Sequence, residues 1–154
     1  RAMKEVGVFC LATPRAYGGL ELDPLTQVRV VEELSSIDGS VGWCAMIGIA
    51  GGYASAFLDP AVARRLFGNI EAVLAGQVVP VGRAELIDGG YRVSGRWRFG
   101  SGCRHATIMM GGCTIFARGE PRLLADGQPE TRLMLLPASA CTIIDTWQTA
   151  GLRG

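Results

Sequence analysis

The sequence has little charge and almost no histidine. Charged residues make up 19% of its 154 residues, below the usual quarter. Fifteen basic and fourteen acidic side chains leave a formal net charge of +1. A nucleic-acid surface or a polybasic membrane patch needs a clustered excess of one sign, so we expect neither kind of partner. The 49% hydrophobic content instead predicts a chain that buries much of its length and is not disordered.

The cysteines form no C-x-x-C pair and are odd in number, which excludes a disulfide framework as the organising feature. They are Cys10, Cys44, Cys103, Cys113 and Cys141. We interpret them as free thiols of a reducing, cytoplasmic compartment. Because His105 is the single histidine, we expect no metal site. We also expect no signal peptide, and the start at Arg1 rather than Met indicates a piece of a longer protein.

The first half of the chain has helical patterns. Asp23-Pro24 is an N-cap followed by proline, and apolar residues at helical spacing predict a helix to about Ile37. Asp59-Pro60 repeats the signal and predicts a short helix to about Phe67. The uncharged run from Gly39 to Leu58 has about the length of a membrane span. Its Gly, Ala and Ser content favours a buried helix, so we expect no membrane partner.

The second half changes to strand patterns. Runs at 72–79, 91–99, 107–117, 132–137 and 141–147 predict strands, with a turn at Asp88-Gly89-Gly90 and a surface loop at 119–130. Helices followed by antiparallel strands predict an α+β fold. We divide the chain into an N-terminal helical domain, residues 1–70, and a middle β-domain, residues 71–154.

The sequence matches none of the common motifs for dinucleotide binding or nucleophilic catalysis. The run Gly100-Ser101-Gly102-Cys103-Arg104-His105 begins like a dinucleotide fingerprint, but it lacks the third glycine and opens no clear helix. Phe99 stands where a G-x-S-x-G nucleophile elbow needs glycine. A serine or cysteine hydrolase would depend entirely on His105. The residues alone therefore name no reaction.

Four segments in register resemble the acyl-CoA dehydrogenase superfamily. They are Pro14 to Leu20 (PRAYGGL), Val31 to Ser40 with its VEEL and DGS groups, Gly89 to Trp97 (GGYRVSGRW), and Trp147 to Gly154 (WQTAGLRG). Two further runs depart from the dehydrogenases. The stretch at 78–84 lacks their acidic and serine positions, and Trp97 to Ala106 (WRFGSGCRHA) is similar to the flavin-dependent monooxygenase branch.

The resemblance implies a helical N-terminal domain, an antiparallel β-barrel-like middle domain and a C-terminal bundle that the chain lacks. It implies a flavin cofactor, FMN (as FMNH2) or FAD. The implied activity is that of a two-component monooxygenase, which takes reduced flavin from a reductase and uses O2 to hydroxylate a small aromatic or polycyclic substrate. A homotetramer is implied for the full-length form, and this part alone is expected to be inactive. Two alternatives are an FAD-dependent acyl-CoA dehydrogenase and a non-catalytic binding module.

The resemblance also implies cofactor-binding residues. Ser101 aligns with a hydroxyl residue facing N5 and O4 of the flavin ring. Gly100 and Gly102 would let the backbone approach the ring edge, and Phe99 aligns with an aromatic residue beside it. The loop with Pro80, Val81 and Gly82 would line the pyrimidine side through backbone groups.

The remaining candidates lie around this turn. Trp43 and Met46, with Cys44, would form one wall of the substrate pocket, and Cys103 another part of it. His105 is the candidate catalytic group. Each has a structural alternative: Ser101 a turn cap, Trp97 and Phe99 core aromatics, Trp43 and Met46 helix core, and His105 a structural histidine.

Overall fold

Three helices of the chain begin where a short acidic side chain caps them. A computed structural model describes residues 2–152 and places α1 at Ala2–Glu5, α2 at Pro24–Ile37, α3 at Gly39–Gly51 and α4 at Pro60–Phe67. Asp23 accepts a hydrogen bond from the Thr26 amide, and Asp38 and Asp59 cap α3 and α4 in the same way. Proline follows two of these caps, so both helices predicted from Asp-Pro pairs are confirmed.

Helix α3 packs into the helical layer rather than standing apart from it. Its buried residues Ala45 and Ile49 form a core cluster with Leu11 and Ala12. With the 3-10 segment Gly52–Phe57 it makes a stretch, Gly39–Phe57, that is long and apolar enough to cross a membrane by length and composition. About 39% of that stretch is buried inside the described part of the molecule.

The second half forms one five-stranded sheet in the order β2-β1-β3-β4, with β5 also paired to β3. The strands are β1 (Leu74–Ile87), β2 (Gly90–Ser94), β3 (Ile108–Ala117), β4 (Glu120–Pro121) and β5 (Thr131–Pro137). Strands β1 and β2 form an antiparallel hairpin across the predicted turn, where Gly89 has a φ of 76°. The α+β fold class is therefore confirmed.

The sheet is mixed and open, which differs from the expected antiparallel, barrel-like form. Strands β1 and β3 run parallel, with Leu74 opposite Ile108 and Ala84 opposite Ile115. A parallel pair needs a connection of about a dozen residues or more, and residues 88–107 supply it. The antiparallel prediction holds for β2 on β1 and for β4 and β5 on β3.

Two predicted strands differ in extent. The strand expected at 91–99 ends at Ser94, because the chain then turns Trp97 into the sheet. The strand expected at 141–147 is wrong: it has no regular secondary structure and, within residues 2–152, no pairing strand. Its large side chains Ile143, Ile144 and Trp147 stay exposed. The region predicted as a surface loop, 119–130, is a short exposed hairpin closed by the Leu123–Pro129 bridge.

The predicted domain boundary at residue 70 falls between the end of α4 at Phe67 and the start of β1 at Leu74. A core cluster of Phe67, Leu74 and Ile108 joins helix and sheet across it. The division into two domains stays a prediction. Residues 1, 153 and 154, including the end of the Trp147–Gly154 signature, lie outside the described residues.

Candidate functional site

The run Phe99 to His105 forms two consecutive tight turns after β2. The amide of Cys103 donates to the Gly100 carbonyl at 3.0 Å, and the amide of His105 donates to the Gly102 carbonyl at 2.9 Å. Gly102 is the third residue of the first turn and has a φ of 74°. This is the position of a type II turn that requires glycine, so local backbone geometry explains Gly102.

Phe99 has a positive φ of 58°, which is rare for an aromatic residue. Its side chain is 69% exposed, and its described ring contact is a T-shaped one with Trp147, at a centroid distance of 6.0 Å. An exposed aromatic ring on a strained backbone is typical of a functional site rather than of a core. Phe99 is therefore not a core residue of the described chain.

Ser101 lies where the helical layer meets the sheet layer. Its hydroxyl oxygen accepts a hydrogen bond from the indole Nε1–H of Trp43, on α3, at 2.9 Å. The amide of Gly102 contacts the thiol of the next α3 residue, Cys44. Burial raises the pKa of that thiol, and the Gly102 hydrogen bond partly offsets the rise. Ser101 itself is half-buried, neither sealed in the interior nor isolated on an open surface.

Trp97, two residues before Phe99, fills a socket of glycines in the sheet. A Cβ added to Gly82 would lie 2.3 Å from its ring, one added to Gly95 2.8 Å, and one added to Gly111 2.6 Å. Its indole N–H donates to the Gly112 carbonyl at 2.9 Å. Trp97 therefore packs in the sheet core, which is its structural interpretation from the sequence. Glycine is required at position 82 because a larger residue would clash with this ring.

Residues 78–81 form a bulge in β1 beside the same socket. Pairing with β3 jumps from Gln77 opposite Gly111 to Gly82 opposite Cys113. The Gln77 side-chain oxygen accepts from the amides of Val78 and Val79, at 2.8 and 3.2 Å, and holds the bulge. All four bulge residues are exposed, including the predicted Pro80 and Val81. Gly82 differs from them, because it is buried against Trp97.

His105 is exposed, and the aromatic candidates are not among the residues that line its groove. It lines an open groove with Lys4, Glu5, Glu71, Arg104 and Ala106. Lys4 and Glu71 form an ion pair across this groove at 3.5 Å. Cys103 and Met46 are half-buried. Residues 2–152 contain no group of three His, Cys, Asp or Glu side chains that could hold a metal ion.

Sequence reasoning missed three features of the site. It did not foresee the Trp43–Ser101 hydrogen bond, the bulge at 78–81 or the contact of Trp147 with Phe99. The glycines at 82, 95 and 111 were a readable signal of close packing, but their common partner, Trp97, becomes visible only in three dimensions.

Comparison with known proteins assigns the fold. Residues 1–65 match the family "Acyl-CoA dehydrogenase, N-terminal domain". The chain is 36% identical to indole-3-acetate monooxygenase of Pseudomonas putida, over 99% of this chain and 38% of the relative. It is 37% identical to the oxygenase component of the FADH(2)-dependent resorcinol hydroxylase of a Rhizobium strain, over 99% and 36%. The chain thus spans well under half the length of these relatives.

A solved structure, XiaF from a Streptomyces species in complex with FADH2 and glycerol, superposes with a TM-score of 0.86. It is 31% identical, over 99% of this chain and 37% of its own. Residues 1–65 therefore belong to the acyl-CoA dehydrogenase superfamily. The whole chain resembles the flavin-dependent monooxygenase branch of that superfamily, as the motif at 97–106 predicts.

The residues present fit a flat flavin ring. The Trp43 indole occupies a lone pair of the Ser101 oxygen and leaves the hydroxyl proton to donate elsewhere. A Cβ on Gly102 would meet no atom within 4 Å, and one on Gly100 would meet only Cys103, so the turn has open space beside it. The exposed side chains of Phe99 and the bulge valines supply apolar surface suited to an aromatic cofactor.

Proposed function

We propose that the natural protein carrying this chain is the oxygenase component of a two-component flavin-dependent monooxygenase. It would hydroxylate a small aromatic or polycyclic substrate, using reduced flavin (FMNH2 or FADH2) and O2. A separate flavin reductase would supply the cofactor. The observation that carries this proposal is the half-buried Ser101 hydroxyl, held by α3 at the junction of the helical and sheet layers.

The residues of the chain have distinct parts in the proposed chemistry. Bound reduced flavin would supply the reaction with O2 that the protein itself cannot perform. Ser101 would donate its hydroxyl proton to an acceptor on the ring edge, and the type II turn would fix that position. Phe99 and the exposed valines at 78, 79 and 81 would cover the ring and keep water from it.

The remaining candidate residues belong to the proposed substrate pocket and its surroundings. Trp43 and Met46 lie on α3, whose contact with the turn brings this helix to the proposed ring edge. Cys103 follows the turn, and Pro80 and Val81 expose backbone on the bulge. His105 belongs to the proposal only as a group at the far end of the turn, since it lines the Lys4–Glu71 groove. We extend the proposal to a homotetramer, on the family resemblance alone, and to the cytoplasm, on the free cysteines.

Oxygen incorporation tests the proposed function. The natural protein is mixed anaerobically with reduced FMN or FAD, then exposed to ¹⁸O₂ with an aromatic panel that includes indole-3-acetate and resorcinol. The expected result is one ¹⁸O atom in a hydroxylated product. Reduction of bound FAD by an acyl-CoA, with no oxygen incorporated, would contradict it and favour the acyl-CoA dehydrogenase alternative.

A further inference from the structure

Helix α3 contacts the turn at Gly100 to Cys103 through the indole of Trp43. Trp43 is 45% exposed, yet its indole N–H lies 2.9 Å from the Ser101 hydroxyl oxygen. That distance is typical of a good N–H···O hydrogen bond. The adjacent residue Cys44 lies near enough to the Gly102 amide for that amide to lower the pKa of its thiol, so two consecutive residues of the helix lie beside the turn.

The chemistry of an indole fixes the polarity of this hydrogen bond. A tryptophan N–H can only donate, whereas a serine hydroxyl can donate once and accept twice. Ser101 must therefore accept from Trp43, and its own proton must point away from the indole. The hydrogen bond from Trp43 therefore restricts the directions in which the Ser101 hydroxyl can donate its proton.

The proton of Ser101 has no acceptor within residues 2–152. Among these residues the hydroxyl takes part in the Trp43 contact and donates no hydrogen bond of its own. A half-buried hydroxyl with a free proton gains stability when a ligand offers an acceptor. The open space beside Gly100 and Gly102 allows a ligand edge to approach the turn.

We infer that Trp43 is a positioning residue, whose indole N–H turns the Ser101 hydroxyl into a preoriented donor for an acceptor atom on the flavin ring edge. This inference rests on the proposed function. It adds that the helical layer controls flavin affinity through one hydrogen bond to the sheet layer, without touching the flavin at that atom. Preorientation strengthens binding because less rotational freedom is lost when the ligand arrives.

The test is a double-substitution cycle on flavin affinity in the natural protein. Dissociation constants of FMN and FAD, oxidised and reduced, are measured by anaerobic titration for the unsubstituted protein, Trp43→Phe, Ser101→Ala and the double variant. Trp43→Phe keeps the ring and removes the N–H, and should weaken binding about two- to tenfold, the effect of one ordinary hydrogen bond. In the Ser101→Ala background the same substitution should have no further effect.

Tyr53→Phe is the matched control. Tyr53 is 46% exposed and its hydroxyl donates to Gln27 at 2.9 Å, so it loses a comparable hydrogen bond within the helical layer. Flavin affinity should not change. Ser101→Thr restores a hydroxyl, and with it the dependence of affinity on Trp43.

A spectroscopic measurement covers the case in which Trp43→Phe does not fold. With ¹⁵N-labelled indoles, Ser101→Ala should shift the Trp43 Nε1–H resonance and leave those of Trp97 and Trp147, which donate to backbone carbonyls. Equal effects of Trp43→Phe with and without Ser101, or an unmoved Trp43 resonance, would overturn the inference while leaving the proposed function intact. Failure of the unsubstituted protein to bind any flavin would overturn both.

Discussion

Trp97 and Phe99 are two aromatic residues on one short segment, yet they lie in opposite environments. Trp97 is enclosed by Gly82, Gly95 and Gly111, and its N–H is satisfied by a backbone carbonyl. Phe99 is 69% exposed on a backbone with positive φ. The sheet thus fixes the first ring, and the second lies exposed on the surface. Rigid packing and an open binding surface are built only two residues apart.

The largest expected effect breaks this comparison directly. Trp97→Ala should lower the free energy of unfolding by about 3–5 kcal/mol, because it leaves a cavity in the glycine socket and an unpaired Gly112 carbonyl. Phe99→Ala should cost at most about 1 kcal/mol, since it loses one exposed ring contact. Urea denaturation of both variants measures the difference. Equal losses would contradict the division into a core ring and a presented ring.

A second effect tests the backbone around the socket. A Cβ on Gly112 would lie 2.1 Å from the Val78 carbonyl oxygen and 2.6 Å from that of Val79. Because backbone atoms cannot rotate away, Gly112→Ala should destabilise by about 1–3 kcal/mol and displace the bulge. Gly90→Ala is the control, since a Cβ there meets nothing within 4 Å. A loss for Gly112→Ala no larger than for the control would remove the proposed close contact.

A third, smaller effect sharpens the description of Phe99. Alanine at a position with φ of 58° keeps the strain, whereas glycine relieves it. Phe99→Gly should therefore be more stable than Phe99→Ala, by about 1 kcal/mol, although glycine is the less stable residue at ordinary strand positions. Thermal unfolding of the pair measures this order. Alanine more stable than glycine would mean that the backbone at residue 99 is not strained.

The sequence predicted the local features and missed the packing between them. Asp23-Pro24, Asp59-Pro60 and Asp88-Gly89 predicted helix starts and a hairpin correctly, because caps and turns depend on neighbouring residues. The alternation from Tyr91 to Phe99 predicted one strand, but pairing ends at Ser94. Residues 95–99 leave the strand because Trp97 packs between the glycines at 82, 95 and 111. No local sequence pattern predicts that contact.

The candidate site was located in the sequence only through the family resemblance. The glycines of the Gly100–His105 run indicated a turn, and this turn lies where the helical layer contacts the sheet layer. Its partner Trp43 lies 58 residues earlier in the chain, so spacing could not reveal it. The parallel pairing of β1 with β3 was also missed, because the alternation of apolar and polar residues does not determine strand direction.

The smallest expected effect concerns the carboxyl group of Glu85, on β1. The Gly119 amide, and then Arg83, hold the pKa of Glu85 below its ordinary value. A lowered folded-state pKa adds stability above the ordinary carboxyl range, and this contribution is lost as pH falls through the lowered value. Glu85→Gln should therefore flatten the acid limb of the stability–pH curve slightly. Glu120→Gln is the control, and an acid limb unchanged in Glu85→Gln would contradict the predicted interaction.

The most direct measurement of the flavin proposal is a crystal structure of the natural protein with reduced flavin bound. We expect an acceptor atom at the edge of the flavin ring within about 3.2 Å of the Ser101 hydroxyl oxygen, which still accepts from Trp43. We also expect Phe99 and the bulge at 78–81 against the ring. A flavin bound elsewhere, for example in the Lys4–Glu71–His105 groove, with Ser101 left in solvent, would contradict the proposed site.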